Sequence, residues 1–81
     1  MPRHEVVSPI PGVFYRRPDP DSPPFVEDGG TVAADQAVGL VEVMKSFHQV
    51  AAGAEGTLVE FLVGDEYEVD AGQPVAVVET G

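Results

Sequence analysis

Residues 26–42 read VEDGGTVAADQAVGLVE, and residues 63–79 read VGDEYEVDAGQPVAVVE. The second stretch lies 37 positions after the first and aligns with no gap. Eight of the 17 pairs are identical: Val26/Val63, Asp28/Asp65, Val32/Val69, Ala34/Ala71, Gln36/Gln73, Val38/Val75, Val41/Val78 and Glu42/Glu79. Valine and alanine match easily by chance. Glutamine and acidic residues in the same register do not. The stretch reads as one β unit used twice, related by a pseudo-two-fold axis.

Working outward, short valine-rich runs recur between Gly, Pro and Asp. They include Gly12-Val13-Phe14-Tyr15, Val38-Gly39-Leu40-Val41, Gly56 to Val63 and Pro74 to Val78. Their length and β-branched content predict strands, and no long stretch has helical periodicity. Turns are expected at Asp28-Gly29-Gly30 and Gly64-Asp65-Glu66, then at Ala34-Asp35-Gln36 and Ala71-Gly72-Gln73. The class is all-β, a small sandwich or barrel.

The repeat extends back to Gly12 and Gly56, with one interruption. Gly12 precedes Val26 by 14 positions, while Gly56 precedes Val63 by 7, so the first copy holds seven extra residues. Pro18-Asp19-Pro20-Asp21-Ser22-Pro23-Pro24 is the candidate, because four prolines forbid a ladder strand. A stiff, protruding finger is expected there.

The chain has 81 residues, enough for one domain. It has no cysteine, so disulfides, thiol chemistry and cysteine metal sites are excluded. A net charge of -10 repels phosphate backbones and anionic membranes and favours partners with basic surfaces. No apolar run approaches a bilayer span, and Met1-Pro2-Arg3-His4-Glu5 lacks the apolar core of a signal peptide. The chain reads as cytoplasmic. It shows no nucleophile–base set, phosphate loop or metal cluster, so no catalytic and no metal residue is assigned. His48 reads as a structural strand residue.

Between the copies lies Glu42-Val43-Met44-Lys45-Ser46-Phe47-His48-Gln49-Val50. Lys45 is the only lysine. A lysine in a hairpin is usually just solvated, so composition alone does not decide its role.

At this junction the chain resembles the biotin carboxyl carrier proteins, whose signature is Glu-Ala/Val-Met-Lys. Ser8-Pro9-Ile10-Pro11-Gly12-Val13-Phe14-Tyr15-Arg16 resembles the opening of the acetyl-CoA carboxylase carriers. The proline-rich insertion and Phe25 resemble the thumb of that subfamily, and Gly56-Thr57, Gly72-Gln73-Pro74 and the closing valine run also match. The resemblance covers about residues 6–80.

The resemblance implies a flattened barrel, or sandwich, of two antiparallel four-stranded sheets (a barrel-sandwich hybrid). A biotinyl domain is expected at 6–80, with its thumb at about 16–25 and a flexible N-terminus at 1–5. Lys45 would sit at the tip of the hairpin joining the halves and carry covalent biotin. A tight turn there is not what Met44-Lys45 suggests, because two-residue hairpins favour Asn or Gly at positive φ. If the turn is tight, its backbone is strained, and strain persists at functional sites.

The implied partners are a biotin protein ligase, a biotin carboxylase and a carboxyltransferase. The implied role is that of a carrier, not a catalyst, in an acyl-CoA carboxylase of fatty-acid synthesis, most simply the acetyl-CoA enzyme. Glu42, Val43 and Met44, with Glu79 as the repeat partner of Glu42, are the expected attachment motif. Glu42 could equally be a repeated rim residue. Arg16, Arg17 and Pro18 of the thumb are candidates to touch biotin. Arg17 departs from the Ser or Thr common in the subfamily, and Ser46 and Phe47 depart from the usual Met or Leu. Met44 argues against a lipoyl-type carrier, which usually has Asp before its lysine. An unmodified assembly module is the other alternative.

Overall fold

Valines two residues apart put one face of a strand in the core and the other outside. That alternation builds the fold in a computed structural model that describes residues 2–19 and 21–80. Met1, Pro20 and Gly81 lie outside the described residues. With them fall the first residue of the expected N-terminal lead-in and one of the insertion's four prolines.

The strands are β1 (Arg3–Val7), β2 (Gly12–Tyr15), β3 (Thr31–Val32), β4 (Ala37–Val43), β5 (Ser46–Ala51), β6 (Gly56–Phe61), β7 (Tyr67–Val69) and β8 (Pro74–Glu79). They form two four-stranded sheets, ordered β1-β8-β6-β3 and β5-β4-β2-β7. Every pairing is antiparallel. The described residues include no helix long and apolar enough to cross a membrane. The molecule is flattened, 37 × 27 × 19 Å along its principal axes.

The sequence repeat is the symmetry of the two sheets. A shift of 37 carries β3 onto β7 and β4 onto β8, and a shift of 44 carries β1 onto β5 and β2 onto β6. Applied to one sheet, these shifts reproduce the strand order of the other. The core repeats as well. Val6/Val50, Phe14/Leu58, Val32/Val69, Val38/Val75, Gly39/Ala76 and Val41/Val78 are all buried counterparts. Only Phe14 and Gly39 break the size match, and they compensate each other. A Cβ on Gly39 would stand 2.5 Å from Phe14 Cε1, so the larger ring needs the missing methyl.

The matched glutamines have a shared task. Gln36 Oε1 accepts from the Ala33 N–H at 3.2 Å, and Gln73 Oε1 accepts from the Asp70 N–H at 2.9 Å. Each closes a turn by satisfying a backbone donor three residues earlier.

One boundary differs from the sequence reading. Arg3, His4 and Glu5, expected to be a flexible lead-in, belong to β1 and pair with Glu79, Val78 and Val77. The cause is Val6, which is buried and fixes β1 against β8. Polar residues ahead of it then serve as the outer end of an edge strand.

Candidate functional site

β4 and β5 pair in the order Leu40↔Gln49, Val41↔His48, Glu42↔Phe47 and Val43↔Ser46. Only Met44 and Lys45 remain to make the turn. Both have positive φ, 49° and 68°. Positive φ at both central residues is the type I′ hairpin geometry, which suits the right-handed twist of the strands and favours Asn-Gly. Met and Lys occupy it at a cost of about 1–2 kcal/mol each. The register leaves no escape. A one-residue slip would turn buried Val41 and Val50 toward water. The tip is therefore held rigidly while its side chains project. Met44 is 94% exposed, and Lys45 is exposed. Among the described residues, Lys45 makes no ion pair or side-chain hydrogen bond.

Below the tip, the outward face of the same sheet carries Phe47 on β5, Glu42 on β4 and Tyr15 on β2. Glu42 stands opposite Phe47 on one side and Val13 on the other. Tyr15, its diagonal neighbour, donates its hydroxyl to Glu42 Oε1 at 2.9 Å. This bond holds the tyrosine hydroxyl above its ordinary pKa, and partial burial and the charges of Glu42, Glu66 and Asp65 add to the effect.

The insertion closes on its neck, where the Phe25 N–H donates to the Arg16 carbonyl at 2.9 Å. Within it, Asp19 accepts from the Asp21 N–H at 3.0 Å and from the Ser22 hydroxyl at 2.8 Å. Its base is tied to the turn between β6 and β7. Asp65 Oδ1 accepts from the Arg16 N–H at 2.7 Å, and Asp65 Oδ2 lies 3.8 Å from Arg17 Nε. The first is a charge-assisted hydrogen bond. The second is a charge contact only. Together these elements enclose a cleft of about 430 Å³, lined by Tyr15, Glu42 and Phe47, by Arg17, Pro18 and Asp19, and by Asp65 and Glu66.

The expected site residues therefore separate into three places. Glu42, Val43, Met44 and Lys45 share the hairpin. Arg17 and Pro18 reach the cleft, but Arg16 does not line it. Arg16 lies 4.2 Å over the Phe61 ring and 3.5 Å from Asp28, holding the insertion to the barrel. Glu79 lies in the other sheet, opposite Arg3 and Thr57. Tyr15, Asp19, Asp65 and Glu66 line the cleft too, although the sequence marks them only as strand, insertion and turn residues. Glu66 carries a signal in the repeat: it stands where the first copy has Gly29, and the structure gives it a φ of 60°.

Comparison with known proteins places this geometry. Residues 4–78 match the family described as "Biotin-requiring enzyme". The chain belongs to that family. Its relatives include the "Biotin carboxyl carrier protein of acetyl-CoA carboxylase" of Pyropia yezoensis, 41% identical over 93% of this chain and 48% of that protein. The protein of the same name from Haemophilus influenzae is 37% identical over 94% of this chain and 49% of its own length. The chain thus spans about half the length of these relatives. Among solved structures, the urea carboxylase of Kluyveromyces lactis matches with a TM-score of 0.80 and 26% identity, over 98% of this chain and 6% of that one.

Proposed function

We propose that this chain is the biotin-bearing carrier domain of an acyl-CoA carboxylase, with acetyl-CoA as acceptor, and that Lys45 is the attachment point. The observation that carries the reading is the Met44-Lys45 turn. A family that requires biotin must present an amine to a modifying enzyme. Here the only lysine stands exposed at a rigid tip, on backbone that another sequence would occupy more cheaply. A primary amine on a long stem is the right chemistry for an amide link.

In this reading a biotin ligase docks on Glu42, Val43 and Met44. The Lys45 amine, freed of its proton by the ligase, attacks the activated biotinyl carbonyl, an amide forms and adenylate leaves. Bound biotin supplies a ureido nitrogen able to hold a carboxyl group. The domain presents that group at a biotin carboxylase and then at a carboxyltransferase, and tethering keeps its local concentration high. The tip must therefore project and the barrel must stay folded throughout, which the deep valine core provides. Arg17 and Pro18 meet the carried group from the cleft wall, while Arg16 serves the insertion's anchorage. Glu79 enters as the matching rung of the other sheet. We assign the chain a carrier's role, not a catalyst's, and a cytoplasmic place beside these partners.

Co-expression with a biotin ligase tests this directly. The parent chain should bind streptavidin on a blot, and Lys45→Arg should not. A folded parent chain without signal would defeat the reading. A lipoyl adduct by mass would replace it with the lipoyl alternative.

A further inference from the structure

The pseudo-symmetry offers an internal control for the Tyr15–Glu42 hydrogen bond. Glu42 and Glu79 occupy the same rung of the two sheets, opposite Val13 and Thr57 respectively. If the bond were needed to hold that rung, the second sheet would repeat it. It does not. The counterpart of Tyr15 at a spacing of 44 is Val59, which falls in a β-bulge, and the residue opposite Val77 is Glu60. Neither side chain can donate to a carboxylate. The barrel closes both sheets, yet only the sheet bearing the lysine hairpin holds its glutamate from below.

Glu42 lies one rung beneath the last pair of the hairpin, three residues before Lys45. Among the described residues it makes no ion pair, and Tyr15 is its side-chain partner. The bond engages Oε1 and restrains the carboxylate, leaving Oε2 for an incoming group. A carboxylate held in place forfeits less freedom when a partner's cation or N–H meets it. We propose that Tyr15 is a positioning residue for the modification of Lys45, acting through Glu42 at the surface that meets the ligase. This rests on the reading of Lys45 as the biotin attachment point.

The role predicts how the loss divides between kinetic constants. Tyr15 touches neither Lys45 nor, in this account, the activated biotinyl group. It should affect docking of the carrier and not the chemical step. With purified biotin ligase, biotin and ATP, and the apo chain as varied substrate, Tyr15→Phe should raise KM about tenfold, the worth of a hydrogen bond to a charged group. Its kcat should stay at the parent value. Glu42→Ala should raise KM at least as much, and the double variant should be no worse than Glu42→Ala alone, because Tyr15 then has no carboxylate to position. Tyr67→Phe, at the exposed tyrosine of β7, should match the parent.

Three outcomes overturn the proposal. Tyr15→Phe could behave like the parent. The two losses could multiply in the double variant, making the residues independent. Or kcat could fall with KM unchanged. A purely structural role would lower the melting temperature without this split, so each variant is melted beside its kinetics. A parent chain that the ligase leaves unmodified overturns the attachment reading itself, and the positioning role with it. That result differs from a modified parent with an indifferent Tyr15→Phe.

Discussion

The two ends of this barrel are built on the same plan and finished differently. At one end, Val43 pairs with Ser46 and the chain turns through Met44-Lys45. At the other, the counterparts of those residues are Thr80 and Pro2, and the Thr80 N–H donates to the Pro2 carbonyl at 2.9 Å. There one backbone bond closes the rung. The positive φ at Met44-Lys45 is held by the buried valines in register below it, and the proposed carrier role gives those exposed side chains a use.

The largest stability effect should come from making the halves alike in the core. Gly39→Ala places a methyl 2.5 Å from Phe14 Cε1 and should cost about 2 kcal/mol, roughly 8–16 °C in melting temperature. Phe14→Leu, which copies Leu58 of the other half, should recover part of that loss when combined with Gly39→Ala. If the losses merely add, the two halves are not packed by the compensation described above.

Relieving the positive-φ strain at the hairpin end should act in the opposite direction. Met44→Asn with Lys45→Gly should stabilise the chain by about 2 kcal/mol in a denaturant melt, because Asn-Gly fits the type I′ turn. It should also abolish modification. A destabilised variant would show that the turn is not strained. Glu66→Gly, which restores the residue type of Gly29, should gain about 0.5–1 kcal/mol by the same logic.

How much of this was legible in the sequence follows from where each feature lies in the sheets. The valine runs and the 37-residue repeat pointed to β4 and β8, while β3 and β7, two and three residues long, are too short to show a pattern of their own although Val32 and Val69 match in register. Gln36 and Gln73 matched because both close turns. β1 and β5 were harder, since each lies at a sheet edge and exposes most of its residues. Alternation is weak there, and Arg3-His4-Glu5 read as a loose end. A signal existed: at a spacing of 44, His4 matches His48 and Val6 matches Val50. The hairpin was legible as a junction, but its φ angles were not, because Met-Lys is a poor type I′ pair. The cleft was hidden because it joins residues far apart in sequence, Tyr15 to Glu42 and Arg16 to Asp65.

The smallest effect concerns the insertion, which only one half carries. Asp65→Asn keeps an oxygen for the Arg16 N–H but removes the charge facing Arg17, and both partners are about one-third exposed. The expected loss is about 0.5 kcal/mol, shrinking as salt is added. A salt-independent loss of several times that size would mean that the insertion is an integral part of the barrel.

In the proposed carrier role, one end of the two-fold barrel serves a single lysine. Intact mass and peptide mapping of the ligase-treated chain test it most directly. The account predicts one biotinyl group, located on Lys45, with the rest of the chain unmodified. A folded chain with no added mass, or with the group on its N-terminal amine, would contradict it.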